Sequence, residues 1–201
     1  MKLYYAPQTR ATRPRWMLEE IGAPYELVRL QLSKGEHKQP EHLKIHPHGA
    51  VPAFSDDEVT MFESAAICAY LADKFPDKRL APPLGSPQRG LYYQWLVYSM
   101  ATMEPPVLKV FLNTRMLPEE KRSPAVAEEG RAQWKDVARV VQQAVEGKAF
   151  LLGEQFTAAD VMVGSILGWS GFMGLLEGFP GLQAYVGRLT SRPAFKRANA
   201  D

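Results

Sequence analysis

Apolar and polar residues recur first with period two and later with a period near 3.6, which predicts a mixed first half and a helical second half. Leu3-Tyr4-Tyr5 reads as a short strand stopped by Pro7. Pro14 suits the first turn of a helix whose apolar positions Met17, Leu18 and Ile21 share one face, with Gly22 as its stop. Tyr25 to Leu32 alternates as a second strand does, and Ser33 to Pro40 is a polar loop that leads to a short helical turn near Glu41-His42-Leu43. Ala53-Phe54 and Val59 to Phe62 flank Asp56-Asp57-Glu58 as the arms of a hairpin. Ser64 to Phe75 returns to helical period, with Ile67, Tyr70, Leu71 and Phe75 facing inward. The order is βαβ, ββ, α.

Prolines at 76, 82, 83 and 87 mark a linker, so the expected domains are 1–78 and 88–201. Leu91 to Met103 reads as a helix broken by Glu104-Pro105-Pro106. Val126 to Val145 carries Trp134, Val137, Ala138, Val141 and Val145 as an i, i+3, i+4 stripe. Thr157-Ala158-Ala159-Asp160 reads as a capping box that opens a buried helix through Val161 to Leu176. The second half is expected to be all helical.

Composition narrows the function classes. Hydrophobic residues make up 46% and charged residues 23%, ordinary values for a soluble globular chain. A net charge of +2 with scattered Lys and Arg argues against nucleic acid as the main partner. The single cysteine precludes an internal disulfide framework and fits a reducing compartment. No apolar signal region precedes Arg10, and Val161 to Leu176 is too short to span a membrane, so a cytoplasmic location is expected.

Candidate chemistry gathers in two stretches, His46-Pro47-His48-Gly49-Ala50-Val51-Pro52 and Phe62-Glu63-Ser64-Ala65-Ala66-Ile67. The residue before a proline is held extended, so Val51 can offer its N–H and C=O to an extended ligand. A serine opening a helix can hold a carboxylate with its hydroxyl and N–H, aided by the helix dipole. Glu63 beside it can pair with an ammonium group. One anion pocket, one cation partner and one backbone edge suit an amino-acid-like peptide. His42, His46 and His48 invite a metal reading, but their spacing crosses a helix end and a proline turn, and no metal is expected.

Lys2-Leu3-Tyr4-Tyr5-Ala6-Pro7, Gly49-Ala50-Val51-Pro52, Glu63-Ser64, Phe156-Thr157-Ala158-Ala159-Asp160 and Arg192-Pro193-Ala194-Phe195 fall in the order and register of one family. Through them nearly the whole chain resembles the cytosolic glutathione transferases, in a bacterial type with a Ser/Thr active-site loop. The resemblance implies the glutathione transferase fold: an α/β N-terminal thioredoxin-like domain and an all-α C-terminal domain. It implies conjugation of the glutathione thiolate to a hydrophobic electrophile, with glutathione as co-substrate and a homodimer formed near the helix after Ser64 and the helix beginning near Leu91.

It also implies roles for particular residues. The family places an activating hydroxyl or Cys in the loop after the first strand, here Ala6 to Arg13. Thr9 is the expected donor, two residues after Pro7 and four before Arg13, as in the Ser-x-x-x-Arg arrangement of the Ser-type classes; Thr12 and Tyr5 remain alternatives. Arg10 can assist through its N–H or its charge. Glu63 and Ser64 are expected to take the γ-glutamyl end, Val51 the central cysteine with Pro52 setting its geometry, and His37 the glycine carboxylate. Ala50 stands where many relatives carry Lys, which removes one carboxylate contact and lowers the expected affinity. The loop holds no Cys and the chain no Cys-x-x-Cys, so mixed-disulfide and thioredoxin-type redox chemistry are disfavoured, and Cys68 reads as core. The second substrate is expected between the domains, near Tyr98 to Met103 and Phe111 to Met116, against Met100, Met103 and Met116, with at least one of these methionines in the core. Two rival readings keep the fold: a glutathione-dependent disulfide reductase or peroxidase, and a non-catalytic interaction protein like the stringent starvation proteins.

Overall fold

A computed structural model describes residues 1–200. Packing divides the chain into two units, Met1–Ala81 with the C-terminal segment from Ser191, and Pro82–Thr190.

The first unit is a four-stranded mixed sheet with helices. Strand β1 (Lys2–Tyr5) pairs in parallel with β2 (Glu26–Arg29), and the crossover between them is α1 (Thr12–Ile21). A parallel pair needs such a crossover, so the helical period after Pro14 and the sheet topology express one constraint. Helix α1 buries Trp16, Met17, Leu18 and Ile21 and ends at Gly22, whose N–H bonds the Leu18 carbonyl. After two single 3₁₀ turns and the short α2 (Pro40–Leu43), β3 (Ala53–Ser55) runs antiparallel to β1, and β4 (Thr60–Phe62) antiparallel to β3. The order is β2-β1-β3-β4. The β3–β4 turn is fixed by Asp56, whose Oδ1 accepts from the N–H groups of Glu58 and Val59 at 2.9 Å each. Helix α3 (Ser64–Lys74) buries Ile67, Cys68, Leu71 and Ala72. Tyr70, expected inward, lies only part-buried because its hydroxyl reaches out to Asp56 at 2.8 Å.

Helix α9 (Pro193–Ala198) belongs to this unit, although its sequence position lies in the expected 88–201 domain. Phe195 meets Trp16 edge-on at 4.9 Å, and Arg192 grips both Glu20 carboxylate oxygens at 2.6 and 2.8 Å. This bidentate pair and the aromatic contact hold the C-terminal segment on α1.

The second unit is helical. Helix α4 (Pro87–Tyr98) passes through a π turn, Ser99–Met103, into α5 (Glu104–Phe111), which runs into a second π turn, Leu112–Met116. The break expected at Glu104-Pro105-Pro106 does not occur. Prolines lack N–H groups and clash with the carbonyl four residues back in a regular α-helix. The π turn lets the Glu104 N–H reach Ser99, five residues back, and sets both prolines at the start of α5. Helix α6 (Pro124–Val145) buries Trp134, Val137, Ala138, Val141 and Val145, the stripe expected from spacing. Gly130 lets α6 approach α5 closely: a Cβ there would lie 2.8 Å from the Pro106 carbonyl oxygen.

Helix α7 (Ala158–Phe172) is buried over most of its length and opens with the expected capping box. Asp160 accepts from the Thr157 N–H at 2.7 Å, the Leu151 N–H at 2.9 Å, the Thr157 hydroxyl at 3.0 Å and the Tyr185 hydroxyl at 2.6 Å. Burial pushes its carboxyl above the usual carboxylate range, against the pull of these donors. Tyr185 comes from α8 (Pro180–Thr190), so one carboxylate ties the start of α7 to α8 and the preceding loop. Among the described residues no helix is long and apolar enough to cross a membrane.

Candidate functional site

Four segments of the first unit converge at one end of β3. Strand β3 is paired on both sides, Ala53 lying opposite Tyr4 of β1 and Phe62 of β4. Past these last pairs β1 runs on into the loop that begins at Ala6, and β4 runs on through Glu63 into α3 at Ser64. The loop after β1 and the start of α3 therefore flank the Val51-Pro52 segment. The Val51-Pro52 peptide bond is cis. Val51 is half-buried, and among the described residues its N–H and C=O have no hydrogen-bond partner. It presents one donor and one acceptor at the end of a sheet, the pattern that recognises an extended peptide.

The turn leading to Val51 is held from behind. Gly49 has φ 55°, and a Cβ there would lie 2.6 Å from the His37 carbonyl oxygen, so glycine is required twice over. The Lys38 Nζ donates to the His48 carbonyl and the His42 Nε2 to the Ala50 carbonyl, each at 2.8 Å. Ala50 thus contributes its carbonyl to the scaffold. His46 stacks on Phe62 with centroids 4.7 Å apart. Burial, and then the nearness of His42 and His48, lower its pKa, while Glu63 opposes the shift. His42 braces the turn, and His42, His46 and His48 lie ring to ring along it. Among the described residues no group of three or more His, Cys, Asp or Glu is arranged to hold a metal ion. His37 is half-buried with Nδ1 sealed and unpartnered, which leaves Nε2 as the ring nitrogen open to a ligand.

Glu63 and Ser64 form the junction between β4 and α3. Glu63 is exposed and has φ 74°, a left-handed conformation that costs a non-glycine residue about 1–3 kcal/mol and that clusters at ligand sites. Ser64 is 2% exposed. The N–H groups of Ser64, Ala65 and Ala66 have no backbone acceptor among the described residues, as the first turn of a helix dictates. Behind Ser64 lies Arg13, itself 3% exposed, whose Nη1 donates to the Ser64 Oγ at 3.3 Å.

The loop after β1 is knitted to itself. The Thr9 hydroxyl donates to the Ala6 carbonyl at 2.7 Å and accepts from the Ala11 N–H at 3.2 Å. The Thr12 hydroxyl donates back to the Thr9 carbonyl, so Thr12 serves the same turn. Arg10 is exposed at the loop surface. Tyr5 is a core residue at 1% exposure, with the Arg15 guanidinium 4.8 Å from its ring centre. Of the three hydroxyl candidates Tyr5 is core, whereas Thr9 and Thr12 are both part-exposed, Thr9 in the loop itself and Thr12 as the first residue of α1.

In the second unit Met103 is fully buried, Met100 half-buried and Met116 exposed, so the three methionines do not share one environment. Near Met116, Phe111 meets Trp169 edge-on at 5.4 Å and the Arg115 guanidinium lies 4.8 Å from the exposed Phe172 ring. The unit also holds a cavity of about 350 Å³ against Leu91, Trp95 and Leu151, which none of these residues lines.

Residues 1–73 match the family model for the glutathione S-transferase N-terminal domain, and residues 124–188 the model for its C-terminal domain. Glutathione S-transferase GstA of Escherichia coli O157:H7 is 30% identical over 201 residues, covering 98% of this chain and 96% of the relative. The chain belongs to the glutathione S-transferase family.

Solved structures of the family agree. A ternary complex of BphK, a bacterial glutathione S-transferase, superposes with a TM-score of 0.88 at 32% identity, covering 100% of this chain and 98% of that one. A sphingomonad glutathione S-transferase complexed with glutathione gives a TM-score of 0.87 at 28% identity, with the same coverage. The fold expected from the resemblance, a thioredoxin-like α/β domain and a helical domain, is the glutathione S-transferase fold observed. Three features of the candidate site had no reading in the sequence. The His42–Ala50 brace joins residues eight apart across a turn, the Glu63 φ has no composition signal, and the Arg13–Ser64 bond spans 51 positions. The Arg13 spacing from Thr9 marked the residue without saying what it touches.

Proposed function

We propose that this chain binds glutathione at the end of β3 and joins its sulfur to a hydrophobic electrophile. The unpartnered N–H and C=O of Val51, just ahead of the strand whose partner β4 leads into a helix-opening serine, carry this reading. The cysteine residue of glutathione pairs with Val51 as an added strand would, with Pro52 holding the segment. The γ-glutamyl carboxylate lies at the Ser64 hydroxyl and the free N–H groups of α3, where the helix dipole favours an anion. Glu63, exposed at the junction, accepts the ammonium. His37 Nε2 is the donor available to the glycine carboxylate, and Ala50 supplies no charge there.

The free thiol is mostly protonated at neutral pH, and the thiolate is the nucleophile. Thr9 donates its hydroxyl hydrogen to the sulfur, and the Arg10 charge at the same loop adds a favourable field. The thiol proton goes to solvent and the sulfur forms the new bond to the electrophilic carbon; with an aryl halide the halide departs with its bonding pair, and with an enal the alkene π pair moves to the enolate, which takes a proton from solvent at the α-carbon. Holding both reactants in place turns a bimolecular attack into a local one. The aromatic group of Phe111, Trp169 and Phe172 in the second unit suits a hydrophobic electrophile.

A homodimer fits the exposed face of α4, where Tyr93 and Val97 are 46% and 66% exposed. The single buried thiol suits the cytoplasm.

The test is turnover of reduced glutathione with a panel of aryl halides and enals, run beside peroxide and mixed-disulfide substrates. Conjugate formed above the uncatalysed rate is the expected result. Turnover of peroxide or disulfide alone would make the chain a glutathione-dependent peroxidase or reductase, and no turnover of any substrate would favour a non-catalytic interaction protein.

A further inference from the structure

Ser64 is a buried hydroxyl with an unspent proton. The Arg13 guanidinium can only donate, so in the Arg13–Ser64 bond the Ser64 oxygen is the acceptor. A hydroxyl has one proton and two lone pairs, and among the described residues no acceptor takes the Ser64 proton. Buried polar hydrogens are nearly always satisfied, so this one marks the place of a missing acceptor. The N–H groups of Ser64, Ala65 and Ala66 lack backbone acceptors as well. All of these donors call for an anion.

Arg13 sits oddly by local rules. It is the second residue of α1, where the helix dipole disfavours a cation, and the first turn holds no acidic residue. It is also 3% exposed, and a guanidinium is rarely buried without a task. Its guanidinium reaches the first turn of α3 through Ser64, and its charge is felt by the Cys68 thiol one turn further on.

We propose that Arg13 is the positioning residue of the anion pocket: by donating to Ser64 it orients the serine hydroxyl as a donor toward the γ-glutamyl carboxylate of glutathione. The inference rests on the glutathione placement proposed above. Arg13 acts in two ways. Its bond occupies a lone pair on the oxygen and directs the proton outward, and its buried charge sits behind the carboxylate, where low dielectric strengthens the attraction. Neither action reaches the thiol directly, so the effect belongs to peptide binding rather than to the bond-forming step.

The experiment compares glutathione with γ-aminobutyryl-cysteinyl-glycine, which keeps the ammonium and the thiol but lacks the γ-glutamyl carboxylate. Affinities are measured by calorimetry for the parent, Arg13→Met, Arg13→Lys, Ser64→Ala and the Arg13→Met/Ser64→Ala pair. The parent should prefer glutathione by about tenfold or more, the scale of a hydrogen bond to a charged group. Arg13→Met should abolish most of that preference while binding the truncated peptide within about twofold of the parent, and Arg13→Lys, which keeps the charge without the fork, should fall between. The double variant should lose no more preference than either single variant, because both changes disable one unit. In turnover, Arg13→Met should raise KM for glutathione with kcat near the parent value.

Equal losses for both peptides would reduce Arg13 to a structural residue and overturn the inference. So would an unchanged preference in Arg13→Met. If that variant does not fold, an Arg13→Lys preference equal to the parent's overturns the requirement for the guanidinium fork. A parent that does not distinguish the two peptides would overturn the glutathione placement itself, and the inference with it.

Discussion

Thr9→Ala tests the assignment of the activating hydroxyl, and the structure sets its size. The Thr9 proton already donates to the Ala6 carbonyl at 2.7 Å. To reach a bound thiolate it must leave that carbonyl, because a hydroxyl has one proton to give. A hydrogen bond to a charged group contributes about 1.5–3 kcal/mol, and the neutral bond given up about 0.5–1.5 kcal/mol. The net preference for the thiolate is therefore about 1 kcal/mol, or somewhat under one pKa unit at about 1.4 kcal/mol per unit. Thr9→Ala should raise the pKa of bound glutathione by that amount and slow turnover near neutral pH by about threefold to tenfold. The thiolate is followed by its ultraviolet absorbance against pH at saturating glutathione. Thr9→Ser keeps the oxygen and should restore both values. Removing the oxygen also strands the buried Ala11 N–H, so a stability loss of about 1 kcal/mol should appear in the melt independently of catalysis. An unchanged thiolate pKa and unchanged turnover in Thr9→Ala would refute the assignment, as would a serine variant no better than alanine.

Other predictions follow from single groups. Asp160→Ala leaves the buried N–H groups of Leu151 and Thr157 and the Tyr185 hydroxyl without their acceptor, so stability should fall by about 3–5 kcal/mol in chemical denaturation, with Asp160→Asn losing less. His46, facing His42, His48 and Glu63, has a folded-state pKa below its ordinary 6.5, so the unfolded chain binds its proton first as pH falls. Its contribution to stability is then full above 6.5 and is lost as pH drops from 6.5 toward the folded value; His46→Gln should flatten this limb of the denaturation midpoint against pH, and an unchanged slope would contradict it. Val97→Glu places a charge on the exposed face of α4 and should convert a dimer to monomer in analytical ultracentrifugation, whereas a dimer that persists would move the interface elsewhere.

Local periodicity carried most of the fold. The α6 stripe of Trp134, Val137, Ala138, Val141 and Val145 is buried where its spacing put it, and Thr157 with Asp160 caps α7 as their separation of three requires. What stayed hidden depends on partners far away in sequence. Pro105-Pro106 signals a break by local rules, yet a π turn ahead of them keeps the helix continuous. Arg192 and Phe195 look like the close of a helical domain until Glu20 and Trp16 claim them for the first unit. At the candidate site, residue types were legible because Val-Pro and Glu-Ser state their backbone roles locally. Which way a proton points was not: the Thr9 bond to Ala6 and the Arg13 bond to Ser64 emerge only from three-dimensional placement.

The measurement that bears most directly on this account is a calorimetric titration of the purified chain with reduced glutathione, repeated with Ser64→Ala. Saturable binding at one site per chain is predicted, with an affinity kept modest by Ala50. Ser64→Ala should weaken it by about tenfold or more, as loss of a hydrogen bond to a charged group does. Absence of binding up to millimolar glutathione, or a Ser64→Ala chain that binds as tightly as the parent, would contradict the claim that the end of β3 and the start of α3 form the peptide site.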